Sequence, residues 1–493
     1  MRLCVTPLFL SLFLGASAQA ALIIADVSIV SPHLPDPQHG MSILLEDGRI
    51  KAISASAIEV ADGVQSVSAQ GMYLVPGIMD SHVHVSSIPG MGFGVEPVAR
   101  ANPALVEAYY HQQPRSFLYY GVTQVLDPNP GMHWQKFTAA DAHPDYFRCE
   151  VITSEDTFPL VEKTDEPSRA MFKYLVDERA PAGAAGSAES VVRDIADSGA
   201  LCIKLYFEDG YGNASHWPLL SDQTLARIKQ AASRFELPIL AHANALDMYE
   251  RAIKARVDVI AHGMWNWGEH SRENEVPPPI ANVLDALIDK NIGYMATQRV
   301  IAGLGEVMLP ETKSNPEFAF TTPSAVLDWY GTSSAQWFVD ELRFGFDQLP
   351  DQTIADIFIH GRVGKGAKVM RYLADANYPI LLGSDFPGSP SYANQPGLTT
   401  AQEMLMMADA GVELSQVMAA ATINNAERFG IDADYGTVEV GKVANLLLLS
   451  ANPLEDVAAW SAINYVIVNG ELIDRARLAA NYRPGQSESD ADR

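Results

Sequence analysis

Between Gly121 and Phe386 the chain repeats one rhythm, a short β-branched apolar run followed by a segment with apolar residues at helical spacing, then another such run. This is the pattern of βαβ units and a parallel sheet, whose strands are covered on both faces and read as nearly continuous apolar stretches. With the run that precedes this region, the candidate strands are Leu74 to His84, Val122 to Leu126, Tyr146 to Thr153, Leu201 to Phe207, Pro238 to Ala243, Val257 to Ala261, Gly293 to Thr297 and Pro379 to Leu382. Eight is the number that closes a (β/α)8 TIM barrel, so the expected fold class is α/β. One intervening helix is legible in detail: Ser221 is placed to cap it, and Leu225, Ile228, Ala232 and Phe235 follow at helical spacing. The stretch from Ile301 to Asn377 is too long for one crossover helix and predicts extra helices over one end of the barrel, bearing on substrate access.

Both flanks of this region change period. Leu22 to Tyr73 and Gly436 to Ile473 show short alternating strands with turn signals at Asp47-Gly48 and Asn469-Gly470, and are expected to pair into one small β-sandwich domain built from the two ends of the chain. The expected organisation is a leader peptide at 1–20, the first part of the small domain at 21–75, the barrel at 76–433, the second part of the small domain at 434–475 and a polar tail at 476–493. No internal repeat of solenoid length is visible.

The leader is read from Met1-Arg2, an apolar run from Leu3 to Leu14 and the small-residue pattern Ala18-Gln19-Ala20. The run is shorter than the roughly 20 residues that span a bilayer, so export to the periplasm or the extracellular space is expected, with no membrane anchor after cleavage. Of three cysteines, Cys149 and Cys202 would remain, and whether they pair is left open. The formal charge of −26 excludes nucleic acid and anionic membrane surfaces as natural partners. The expected partner is a small-molecule substrate, with further copies of the chain as one option.

Ionisable residues at the ends of the apolar runs carry the chemistry. His82 and His84, in Asp80-Ser81-His82-Val83-His84, point to one face because strand side chains alternate. His242 and His262 each end an apolar run, at the barrel face where active sites form. Any one of these histidines has an ordinary packing explanation; four at corresponding strand ends share one explanation more readily, a metal site. Lys204 interrupts the apolar run from Leu201 to Phe207, where burial should lower its pKa and leave a reactive amine. Pairing with a carboxylate is the alternative. Asp385 closes Ile380-Leu381-Leu382-Gly383-Ser384, where a carboxylate can ligate a metal and accept a proton from water. Tyr206 shares the inward face of Lys204 and is the expected substrate-binding residue; further substrate contacts are expected from the loops after the strands, where His133, Glu208, His216, Trp265, Trp267, His270, Gln298 and Arg299 lie, with an ordinary loop or packing role as the alternative for each.

The ordered set Pro76-Gly77-Ile78-Met79-Asp80-Ser81-His82-Val83-His84, Lys204, His242, His262 and Asp385 resembles the binuclear branch of the amidohydrolase superfamily, as does the closing stretch Gly436-Thr437-Val438-Glu439-Val440-Gly441-Lys442-Val443-Ala444-Asn445-Leu446. Asn445 departs from the aspartate usual in that family, far from the metal ligands. The strand-four lysine is most similar to the branch of Xaa-Pro and Xaa-Arg dipeptidases and imidazolonepropionase-like proteins. The resemblance implies two divalent metal ions, His82, His84 and Asp385 holding the first, His242 and His262 the second. Lys204, carbamylated by carbon dioxide, would bridge them. Zinc suits these donors, with manganese, cobalt or iron as alternatives.

The implied activity is hydrolysis of a carbon–nitrogen bond in a dipeptide, N-acyl amino acid or cyclic amide, by a hydroxide shared between the cations and with Asp385 as the catalytic proton carrier. Esterase, lactonase or phosphotriesterase action with the same machinery is a second reading. A mononuclear deaminase is a third, disfavoured because Ala243-Asn244 follows His242 and no glutamate is found near the fifth strand. A binding protein that had abandoned catalysis would be expected to have lost a ligand, and none is lost.

Overall fold

The computed structural model describes residues 21–482 except 60–63, 95, 164 and 211–215. The expected leader at 1–20 and the end of the tail from 483 lie outside the described residues.

Eight parallel strands form the barrel sheet: β1 (Ile78–Asp80), β2 (Val122–Asp127), β3 (Asp145–Thr153), β4 (Cys202–Tyr206), β5 (Ile239–His242), β6 (Val259–Ala261), β7 (Gly293–Met295) and β8 (Ile380–Leu381). They pair in chain order from β1 to β8, with a short strand, Tyr174–Leu175, added beside β3. Backbone bonds from Ser81 N–H to the Leu382 carbonyl (3.1 Å) and from His84 N–H to the Phe386 carbonyl (2.6 Å) join the continuation of β1 to that of β8. All eight strands coincide with the apolar runs of the sequence, because a strand sealed by helices outside and by packed side chains inside has no polar face to show. The barrel interior holds one apolar cluster to which every strand contributes: Met79, Leu126, Cys149, Cys202, Leu240, Val259, Met295 and Leu381, all buried. Within it Cys149 and Cys202 face each other across β3 and β4 with Cα atoms 4.3 Å apart and are joined as a disulfide.

Ser221 caps the helix Asp222–Arg234 by accepting from the Thr224 N–H at 3.2 Å, and Leu225, Ile228 and Ala232 are buried. Phe235 is not part of that stripe. It falls at the C-cap, where the chain turns off the barrel, and is 42% exposed. The region from 301 to 377 is helical as expected, including Trp337–Gly345, a π-helical turn Ile357–Arg362 and Val363–Asp375.

The chain ends pair as predicted. Tyr73–Pro76 runs antiparallel to Leu446–Leu449 and parallel to Leu22–Ile29, at the centre of one eight-stranded sheet. The turns Asp47-Gly48 and Asn469-Gly470 both have positive φ at each residue, as two-residue hairpins require. The sheet folds back on itself: Ile50 exchanges backbone bonds with Gly441 and Lys442, just before the strand at Leu446, around a core of Ile24, Ile43, Leu45, Leu74, Leu446 and Ile467.

Candidate metal centre

Five strand ends deliver the predicted side chains to one cavity of about 700 Å³, lined among others by His82, His84, Lys204, His242, His262 and Asp385. Nε2 of His84 and of His82 lie 3.0 Å and 3.3 Å from Oδ1 of Asp385, and Nδ1 of His262 lies 3.7 Å from its Oδ2. His82, His84 and Asp385 have donor atoms close enough to share one ion. The rings of His242 and His262 meet edge to face with centroids 4.4 Å apart, and His82 and His262 are 5.3 Å apart. His262 and Asp385 leave their strands in the left-handed region, at φ 85° and 55°, as does Thr297 after β7 at 48°. Strained backbone of this kind persists where the surrounding structure holds it, and it concentrates at functional sites.

The charge balance suits ligands. Burial, reinforced by the ammonium of Lys204 and neighbouring imidazoles, holds His82 well below the ordinary histidine range, and burial with His242 does the same to His262. Both are therefore neutral, the state that can ligate a cation. Burial pushes the Lys204 amine down to about 7, opposed in part by Asp385. Nζ of Lys204 and Nδ1 of His82 and His84 are buried without a hydrogen-bond partner. Polar nitrogens left unpartnered on one cavity are costly in a closed fold, and the lone pair of an unprotonated nitrogen is what a cation takes.

Tyr206 faces the same cavity, its ring 5.4 Å from that of His242 and 5.3 Å from the Lys204 ammonium. Trp265 and Glu208 also line it. The other loop residues do not. Trp267 is packed away with its indole N–H on the Met264 carbonyl, Arg299 is bound to Gln402 and Glu306, and His133 packs on Tyr110. Gln298 is buried, while His216 and His270 lie outside the cavity wall.

Two groups went unrecognised in the sequence, Asp127 and Thr297, and Glu208 was singled out only as a residue of the loops after the strands. Glu208, two residues past β4, places Oε2 3.2 Å from Nε2 of His242 and accepts from Asn244 at 3.3 Å, so a carboxylate from β4 meets the histidine that ends β5. Asp127 ends β2 with Oδ1 3.9 Å from Nδ1 of His84, and burial raises its carboxyl to about 6. An apolar strand ending in a charge, the signal that singled out Asp385, was present there too. Thr297 Oγ1 lies 2.9 Å from Nδ1 of His262. Such outer partners fix the orientation of ligating imidazoles.

Residues 213–473, more than half of the chain, match the model of the amidohydrolase family. The match takes in His242, His262 and Asp385, while His82, His84 and Lys204 precede it. Imidazolonepropionase of Symbiobacterium thermophilum is 40% identical over 82 residues, which is 16% of this chain and 18% of that protein. Among solved structures, a Xaa-Pro dipeptidase with bound methionine superposes with a TM-score of 0.62 at 20% identity, covering 92% of this chain and 100% of that one. Molinate hydrolase superposes at 0.65 and 16% identity, covering 96% and 99%. At such identities these two likenesses are of fold. The fold and the cavity define a (β/α)8 barrel protein whose strand ends gather candidate metal ligands on one cavity. The chain belongs to the amidohydrolase family.

Proposed function

We propose that this protein hydrolyses an amide-type carbon–nitrogen bond of a small molecule, a dipeptide, an N-acyl amino acid or a cyclic amide. The observation that carries this reading is the convergence of four histidines, one lysine and one aspartate from five strand ends on a single cavity. His82, His84 and Asp385 would hold one divalent cation, His242 and His262 a second, and Lys204, as its carbamate, would stand between them. Two such ions, with zinc the best match to these donors, would polarise the substrate carbonyl and acidify a water towards neutral pH.

The chain's own residues do the rest. Asp385, with Oδ1 and Oδ2 turned to different histidines, would take the proton of the attacking water and return it to the departing amine. Tyr206 borders the reacting end. The walls formed by Phe93, Phe158, Phe172, Trp265, Trp337 and Phe338 support a substrate with an apolar or aromatic body and keep bulk water from the reaction. Export fits the disulfide between Cys149 and Cys202, a bond rare in reducing compartments; N-terminal sequencing of the mature protein tests it, with a start near Ala21 expected.

The functional test is release of free amine from a panel of dipeptides, N-acyl amino acids and cyclic amides, run beside lactones, carboxylic esters and phosphotriesters, with metal content measured on the same preparation. Amine release, with about two divalent ions per chain that are lost in Lys204→Ala, is expected. Turnover of esters, lactones or phosphotriesters with every amide inert would overturn the reading.

A further inference from the structure

The cavity that holds the metal ligands has a second wall, contributed by the helical insertion, and one cation in that wall has no counter-charge. Arg362 is the last residue of the π-helical turn Ile357–Arg362 and lines the same cavity as His82 and Asp385. Turns of this type are rare and often mark functional positions. This one is seated on the helix Gln298–Glu306, which follows β7. Gly305 allows the close approach, since a Cβ there would come within 2.7 Å of Ile359 and 2.8 Å of the Ala355 carbonyl oxygen.

The Arg362 guanidinium lies over the Phe358 ring at 4.8 Å and makes no hydrogen bond or ion pair among the described residues. Burial disfavours its charge, and no carboxylate offsets that cost. The contrast is local. Arg343, on the same insertion, is held by Asp340 and Asp351 at 2.8 Å each, and Lys163, in the same cavity wall, has Glu162 at 3.7 Å. A chain with 60 acidic residues against 34 lysines and arginines does not lack carboxylates to place beside Arg362. A half-buried guanidinium left unpaired in a substrate cavity is a receptor for an anion, and its planar fork matches a carboxylate.

We propose that Arg362 binds the free carboxylate of the substrate, so that the protein selects acidic amides, an N-acyl amino acid or the C-terminal residue of a dipeptide, over their neutral counterparts. The inference deepens the hydrolase reading and rests on it for the identity of the ligand. Arg362 is a specificity residue that takes no part in proton transfer.

The experiment separates the two claims. Binding of 3-phenylpropanoate and of 3-phenylpropanol to the metal-loaded protein is followed by quenching of tryptophan fluorescence, Trp265 and Trp337 being in the cavity wall. The same is done with Arg362→Gln and Arg362→Lys. Hydrolysis of an N-acyl amino acid is compared with that of the corresponding N-acyl amino alcohol in all three proteins. A charged hydrogen-bonded pair predicts a preference for the acid on the order of ten- to a hundredfold in the native protein. It should shrink to within a factor of about two in Arg362→Gln and be partly kept in Arg362→Lys. In hydrolysis the loss should fall on KM for the acid and leave kcat nearly unchanged. No preference in the native protein, or an undiminished preference in Arg362→Gln, overturns the proposal. A preference that depends on Arg362, with no amide hydrolysed by any of the proteins, would retain the carboxylate site and remove the hydrolase reading.

Discussion

Oε2 of Glu208 lies 3.2 Å from Nε2 of His242, so a carboxylate leaving β4 reaches the histidine that ends β5. The other oxygen of Glu208 accepts from the Gly210 N–H at 3.2 Å, which ties the side chain to its own loop. Glu208 is therefore a positioning residue for His242. Glu208→Gln keeps the volume and removes the charge, and weakened outer partners commonly cost about ten- to a hundredfold in metal affinity. Brief dialysis of the variant against a chelator should strip about one ion per chain while the native protein keeps both, with the circular dichroism spectrum unchanged. Equal retention in the two proteins would remove this role.

Asp385→Asn tests the proton carrier with little structural disturbance. The residue sits at φ 55°, and asparagine is among the few residues that tolerate the left-handed region. The variant should keep the backbone of the β8 loop and the native Tm. Loss of a general base should lower kcat by about 10²- to 10⁴-fold. A variant with native turnover would show that the proton leaves by another route.

The sequence made the barrel readable for a physical reason. Its strands are sealed on both faces, so each appears as an apolar run, and an ionisable residue that interrupts a run, as Lys204 does, or ends one, as His242 and Asp385 do, stands out. The two-residue turns at Asp47-Gly48 and Asn469-Gly470 made the small sheet legible in the same way, because few residues accept their φ values. Contacts between elements were not readable. Nothing local to Glu208 or to His242 says that the two meet. The helices of the insertion could be expected, but a helical period reports that a face is buried and not which wall it covers. Arg362 lies in a π-helical turn that has no sequence signature.

Gly305 should be intolerant of a side chain. A Cβ would press on Ile359 and the Ala355 carbonyl oxygen, and a backbone oxygen at 2.8 Å cannot rotate away as a side chain would. Gly305→Ala should displace the π-helical turn from the helix Gln298–Glu306 at a cost of roughly 1–3 kcal/mol, and with it the cavity wall that carries Arg362. The expected result is a lower Tm together with a raised KM for carboxylate-bearing substrates and native metal content. An unchanged Tm and KM would mean that the turn and helix are not locked together there.

Glu403 is a buried carboxyl whose two oxygens accept from the N–H groups of Gln298 (3.0 Å) and Arg299 (2.6 Å), at the start of the helix that follows Thr297, the partner of His262. Burial raises its pKa from the ordinary 4.5 to about 8, against the pull of those two hydrogen bonds. Between these values the folded protein keeps a proton that the unfolded chain has lost. Folding then binds protons, and stability must fall as pH rises across that window. Glu403→Gln removes this ionisation at the expense of one acceptor, which adds an offset that does not vary with pH. Measured from about pH 5 to about pH 9, the Tm of the native protein should therefore decline relative to that of Glu403→Gln, with most of the relative loss complete just above pH 8. A gap between the two Tm curves that stays constant over this range would show that Glu403 is ionised throughout, its charge held by the helix N-terminus.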